Sequence, residues 1–316
     1  MVNPFACASF SRLNSFLVNI MRYIIMALVA VIMVGCSPGG GNGGKKLDTP
    51  TSGSIRISVD ESLKPLIDAE VKAFMGIYHD ASIEALYVSE TEAISLLIND
   101  SVRLAIITRE LTAEEKELIT KQKYTTHPAK VAREGVALIV NRSNMDTLWS
   151  MAKLKETLGT NSSNKIVFDN QSSGIVRFMR DSILKIKEMP ANSYAAGTNE
   201  GVIDYVSKDP KAIGLIGTSW ISDRDDSTTN KFLGSIRVIG IENQGEHYQP
   251  YQAYIAQKQY LLTRDIIITT REGRSGLGTG FASFVAGDKG QRIILKAGLV
   301  PTTMPIRVVS VRRENL

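Results

Sequence analysis

The chain has 316 residues, 43% of them hydrophobic and 22% charged, a composition that supports one large soluble domain or two lobes. Net charge is +5, and with Arg12 and Arg22 of the acid-free first 35 positions set aside the remainder carries about +3, too little to argue for a nucleic-acid partner. Cys7 and Cys36 both precede the globular part, which excludes a disulfide framework. His79, His127 and His247 are scattered, which argues against a zinc site.

The N-terminal region reads as a signal. "MRYIIMALVAVIMVGC" places one basic residue before an apolar run from Tyr23 to Val34, short for a bilayer span but of secretory-signal length. Its ending, "MVGC", resembles a bacterial lipobox, with Met33 where Leu is more usual. The expectation is cleavage before Cys36, lipidation of that cysteine, and Met21 as a candidate start. Residues 36–53 are Gly-rich and polar, the composition of a flexible tether. The folded body is expected from Ser54.

From there strand and helix patterns alternate. "SIRISV" predicts a strand, and the apolar spacing of Leu63, Leu66, Ile67, Val71 and Phe74 predicts a helix with Pro65 in its first turn. "SIEALYV" and "VRLAIIT" predict two more strands. Each is followed by a helix whose start carries capping-box spacing, Ser89 with Glu92 and Thr112 with Glu115. Farther on come the strand "GVALIVN", the helix "TLWSMAKLKETLG", the strand "KIVFDN" and the helix "SSGIVRFMRDSILKI". Next are the helix "EGVIDYVSKDP", the strand "KAIGLIGTSW", a polar loop "DRDDSTTN" and the strand "IRVIGI". The C-terminal part adds strand-like "YQAYIAQKQYLLT" and "DIIITT", one long helix "FASFVAGDKGQRIILKAG" and a last strand "IRVVSVRR". Such alternation predicts an α/β fold with mostly parallel sheets and helices on both faces.

Three loops leave a strand end and enter a helix: Asp60-Glu61-Ser62, Ser89-Glu90-Thr91 and Gln171-Ser172-Ser173-Gly174. Open α/β sheets bind ligands outside such strand ends, where helix N-termini present unpaired N–H groups that suit a small anion. Each serine is also a good N-cap by itself, and capping and binding are compatible.

The ordered set "VDESLKPLI", "RLAIITREL", "EGVALIVN", "TLWSMAKLKETLG", "NQSSGIVRFMRDS", "DPKAIGLIG" and "GFASFVAGDKGQRIILKAGLVP" covers most of residues 54–301. In that order it resembles the phosphate-binding proteins of phosphate ABC transporters, in their lipoprotein form. The resemblance implies a two-lobed type II periplasmic-binding-protein fold with a ligand cleft at the hinge. Lobe one would be residues 54–134 with 248–316, and lobe two residues 135–247.

Carried over position by position, the resemblance implies ligand-binding roles for Glu61 and Ser62 in the first loop and for Ser89 or Thr91 in the second. The turn that caps the anion falls on Ser173, Gly174 and Ile175 after Ser172, so the family's threonine hydroxyl is missing; the amides of Gly174, Ile175 and Val176 remain as donors. The family's arginine corresponds to Asp169, and its carboxylate after the third strand to Thr108 and Arg109. The signs are exchanged, which suggests Arg109 as the cation, paired with Asp169 on closure, and Arg177 as a second candidate. Plainer readings exist: Arg177 as a solvated helix residue, and Asp169 as a turn residue beside Asn170.

Ser172 and Ser173 lack a G-x-S-x-G elbow, and "GRSGLGTG" lacks dinucleotide-loop spacing, so neither motif points to an enzyme. The expectation is a non-enzymatic, cofactor-free, monomeric binding protein, exported and lipid-anchored in the periplasm or at the cell surface. It would capture inorganic phosphate and deliver it to an ABC permease. The alternatives are a binding protein for another oxyanion or for a sensor, and a structural or adhesive lipoprotein whose ligand site is lost.

Overall fold

Alternate residues of the central strands pack into different cores, as the two-residue period of a strand buried on both faces requires. The computed structural model describes residues 47–160 and 163–305. In chain order the strands are β1 (Gly53–Asp60), β2 (Ala81–Val88), β3 (Leu104–Ile107), β4 (His127–Asn141), β5 (Leu148–Trp149), β6 (Lys165–Phe168) and β7 (Ser193–Ala195). They continue with β8 (Ala212–Gly217), β9 (Ile236–Val238), β10 (Gly240–Asn243), β11 (Glu246–Tyr248), β12 (Thr263–Thr270) and β13 (Val300–Pro301). The helices are α1 (Lys64–Ile77), α2 (Glu90–Ile98), α3 (Ala113–Lys121), α4 (Met151–Gly159) and α5 (Gly174–Phe178). After them come α6 (Asn199–Lys208), α7 (Ser227–Ser235), α8 (Gln252–Ala256), α9 (Leu277–Ala286) and α10 (Asp288–Lys296).

The main sheet runs β2-β1-β3-β12-β4-β8-β6-β7, with β9 and β13 also paired to β4. Its two wings, β2-β1-β3 and β8-β6-β7, are parallel. The joint between them is antiparallel, through β3-β12, β12-β4 and β4-β8. The long β4 belongs to both parts: it faces β12 up to Gly135 and β8 from Val136 onward. β11-β10-β5 form a separate small sheet.

Each wing is covered on both faces. In the first, Ile57, Val59, Leu104 and Ile106 pack under α1, α9 and α10 through Phe74, Phe281 and Ile294, while Ala105 and Ile107 meet α2 and α3 through Leu97 and Ile119. In the second, Leu138, Ile166 and Phe168 pack with Leu154, Ile175 and Ile255, while Ile139, Val167 and Ile216 pack with Val202 and Val206 of α6. Tyr260 and Leu262 belong to the first of these second-wing cores, although they follow residue 248.

Several local expectations change. "DRDDSTTN" is no loop throughout: the Asp226 side chain accepts from Thr229 N and starts α7. "YQAYIAQKQYLLT" contains α8, not a continuous strand, and the single C-terminal helix is two, α9 and α10, parted at Gly287. The helix after Ser173 continues past α5 as a π-turn, Met179–Leu184. Asp48, within the expected tether, is held to the body: its carboxylate accepts from Arg103 Nη1 at 3.1 Å and from Leu277 N, at the start of α9, at 2.8 Å. Cys36 and the strand expected at "IRVVSVRR" lie outside the described residues.

Candidate functional site

The three strand-to-helix loops meet where the two wings face each other. Asp60, the last residue of β1, is fully buried. Its Oδ1 accepts from Ser62 N (3.0 Å) and Ser62 Oγ (2.7 Å), and its Oδ2 accepts from the Gly174 amide of the opposite wing (3.0 Å). The turn that was expected to cap an anion thus holds an oxyanion of the chain itself. Ser173 also caps α5, its hydroxyl accepting from Val176 N at 3.3 Å, so capping and anion contact coexist in one turn.

The neighbouring contacts of the first loop repeat this first-wing acceptor and second-wing donor, and Thr91 of the second loop reverses it. Glu61 Oε2 accepts from Asn199 N (3.0 Å) and Nδ2 (2.6 Å), at the start of α6. The carbonyl of Ser62 accepts from Ser219 Oγ (2.9 Å) and Trp220 Nε1 (3.0 Å). Thr91, at the start of α2, donates from both N and Oγ1 to the Ser172 carbonyl at 3.2 Å. Ser89 caps α2, its hydroxyl accepting from Glu92 N.

Glu90 is the acidic centre of the second loop. Its Oε1 accepts from Thr108 N (2.8 Å) and Oγ1 (2.5 Å), and its Oε2 from Arg177 Nε (2.5 Å); Arg177 Nη2 also donates to Thr108 Oγ1 (3.0 Å). Burial pushes the Glu90 carboxyl upward, but Arg177 and Thr108 outweigh that and hold it below the usual range. Arg177 is therefore no solvated helix residue.

Arg109 does not meet Asp169. It makes a bidentate pair with Glu115 (2.7 and 2.7 Å) in its own wing, and Glu115 also closes the capping box of α3 through Thr112 N. A partner six residues away outcompetes one that would need the cleft to bring it close. Its nearest approach to the shared centre is Nε at 4.0 Å from Glu90 Oε2. Asp169 instead has Asn199 Nδ2 at 3.4 Å from Oδ2, while Oδ1 is buried without a hydrogen-bond partner among the described residues. Burial, reinforced by the charge of Asp60, raises its carboxyl to about 7. Burial likewise raises Asp60 and Glu61.

Sequence reasoning missed Glu90, Glu134, Asn199 and Arg264. Arg264 on β12 is buried and donates to Glu134 Oε1 of β4 (Nη2, 2.6 Å) and to Ser62 Oγ (2.6 Å). The signal was present at both: two adjacent opposite charges at the edge of an apolar run, "REGVALIVN" and "RDIIITT". Close approach also depends on Gly174, where an added Cβ would collide with Asp60 Oδ2 and lie 2.5 Å from Thr108 Oγ1. The site is thus a buried junction of oxyanion acceptors, donor amides and two guanidinium groups.

Residues 45–289 match the family described as the PBP superfamily domain. The chain belongs to the PBP superfamily. The Staphylococcus aureus (strain USA300) phosphate-binding protein PstS is 23% identical over 283 residues, covering 84% of this chain and 83% of that protein. Among solved structures, a phosphate ABC transporter substrate-binding protein from Clostridium perfringens with bound phosphate aligns with a TM-score of 0.67 at 21% identity, over 79% of this chain and all of the other. An ABC-type phosphate transport receptor from Vibrio cholerae aligns at 0.59 and 18%, again over 79% of this chain and 100% of its own. These likenesses establish the α/β fold of the superfamily. Among the described residues, no group of three or more His, Cys, Asp and Glu is arranged to hold a metal ion.

Proposed function

We propose that this PBP-superfamily chain is a non-enzymatic solute-binding protein that takes inorganic phosphate between its two wings. One observation carries the oxyanion reading. The Asp60 carboxylate is held by Ser62 N, Ser62 Oγ and the Gly174 amide, so the junction is already built to hydrogen-bond an oxyanion. The choice of phosphate among oxyanions is supported by the relatives named for it.

The chemistry fits a protonated ligand. Among the described residues Asp169 Oδ1 is buried with no hydrogen-bond partner, an acceptor that the proton of hydrogen phosphate can satisfy where sulfate offers none. Micromolar affinity needs about 8 kcal/mol, and charge-assisted hydrogen bonds contribute about 1.5–3 kcal/mol each. Donors from several loops are therefore required. The candidates, each held by a carboxylate or carbonyl of the chain in this structure and released to the ligand in this reading, are the amides of Gly174 and Ser62, the hydroxyls of Ser62, Thr91 and Thr108, and Arg177.

The two wings act in this reading as two lobes hinged where β4 changes partner at Gly135, with the return crossing at β12. The clustering of Ile255, Tyr260 and Leu262 with the second wing supports a return near Thr263. Anchoring through a lipidated Cys36 outside the cytoplasm, monomeric action and delivery of phosphate to an ABC permease complete the proposal. Among the described residues no helix is long and apolar enough to cross a membrane.

Isothermal titration with phosphate and sulfate tests the proposal. Saturable heat with phosphate and at least about tenfold weaker binding of sulfate is expected. Absence of heat with phosphate overturns it.

A further inference from the structure

The charged pair Glu134–Arg264 lies at the point where β4 leaves one wing for the other. The two residues face each other in the β12-β4 register; the next pair is Thr263 with Gly135, and Val136 already faces Gly217 of β8. Both side chains are buried, with Arg264 donating to Glu134 Oε1 from Nε at 3.0 Å and from Nη2 at 2.6 Å. Among the described residues neither Arg264 Nη1 nor Glu134 Oε2 has a hydrogen-bond partner. Taking such a pair out of water costs about as much as the attraction returns, and an unfilled donor adds to the cost. Stability alone is a poor reason for this arrangement.

What the pair does is fix a direction. Arg264 Nη2 donates to Ser62 Oγ at 2.6 Å, and a guanidinium can only donate. The Ser62 hydroxyl therefore turns its own proton to Asp60 Oδ1 at 2.7 Å, which leaves Oδ2 to the Gly174 amide. Glu134 in turn clamps the guanidinium by two of its nitrogens. The backbone at Gly217 closes over this relay: a Cβ there would lie 2.9 Å from the Ser62 carbonyl and 3.3 Å from Glu134 Oε2.

We propose that Glu134 and Arg264 form a positioning pair for the oxyanion site, orienting Ser62 and through it Asp60, from the strands that join the wings. The role rests on the reading that this junction binds an oxyanion. It makes the first loop's geometry depend on the register of β4 and β12, so any shift at the joint is felt at the ligand.

The test separates positioning from structure and from ligand identity. In the double variant Glu134→Met with Arg264→Met, apolar side chains replace both charges, an exchange that folded proteins commonly tolerate. Two readouts follow, amide hydrogen exchange in ligand-free protein and titration with inorganic phosphate. Expected are a melting temperature no lower than that of the parent, lost protection at the Gly174 and Ser62 amides, and phosphate affinity reduced about tenfold or more. Parent-like protection at both amides overturns the positioning role, whatever the protein binds. Failure of the unaltered protein to bind phosphate removes the functional reading alone, because the exchange readout needs no ligand. Should the double variant not fold, Arg264→Lys, Ser62→Ala and their combination decide the matter: an effect routed through Ser62 gives losses that do not add, and full additivity overturns it.

Discussion

Asp60 Oδ2 accepts the Gly174 amide at 3.0 Å, joining the end of β1 to the start of α5 across 114 residues of chain. Only glycine permits this approach, since a Cβ at 174 would collide with Asp60 and come within 2.9 Å of Glu90 Oε1. Gly174→Ala leaves every charge in place and adds one methyl group. It is expected to lower stability by about 1–3 kcal/mol and to weaken phosphate binding, as overpacked sites do. Equilibrium denaturation and titration on the same preparation check both; unchanged values in both would show that the wings do not meet at this contact in solution.

The Glu90–Arg177 contact ranks the arginines of the site. Glu90 is 2% exposed and relies on Arg177 and Thr108, whereas Arg109 and Arg180 pair within their own segments. Arg177→Ala is expected to destabilise the fold by about 2 kcal/mol and to reduce phosphate affinity more than Arg109→Ala does. Arg180→Ala, whose partner Asp181 is adjacent and exposed, should change stability by less than about 0.5 kcal/mol. A thermal-melt and titration series across the three variants reads the order directly, and parity of Arg177 with Arg180 would sink it.

The alternation of strand and helix was legible because it rests on local chemistry. Ser89 and Thr112 cap helices where their spacing placed them, and Ser173 does so where a serine before a helical pattern predicted it. Local chemistry also hid things. Asp226 caps α7, yet the surrounding Asp and Thr run has the composition of a loop. The pairings that make the site, Glu61 with Asn199 and Glu90 with Arg177, span 138 and 87 residues and exist only once both wings have packed. Arg109 illustrates the limit: its position by resemblance said nothing of Glu115, which is close enough in sequence to claim it first.

Glu70 offers a test away from the site. It lies fully buried on α1 with neither carboxylate oxygen hydrogen-bonded among the described residues, and burial raises its carboxyl to about 9. At neutral pH it is protonated, and its polar atoms still lack partners, a situation that costs free energy. Glu70→Leu is expected to stabilise the protein by about 1–3 kcal/mol at pH 7. Urea denaturation measures this, and a loss of stability would mean that Glu70 has a partner in solution.

Asp169 is expected to shape the pH profile. Its carboxyl is 1% exposed, and burial beside Asp60 raises it from 3.8 to about 7. Below pH 4 it is protonated whether the chain is folded or not, so it then has no effect. Between about pH 4 and 7 the unfolded chain releases this proton while the folded chain keeps it, so stability falls as pH rises and levels off above 7. The full span corresponds to about 4 kcal/mol as an order of magnitude. Asp169→Asn stays neutral throughout and should remove that slope, leaving the variant more stable than its parent at pH 8. Urea midpoints for both proteins from pH 4 to 8 test the point. Asp60, Glu61, Glu70 and Glu134, which burial also raises, titrate in both proteins, so the difference between the two profiles reports Asp169, and parallel profiles would mean that Asp169 ionises in the folded protein as it does in water.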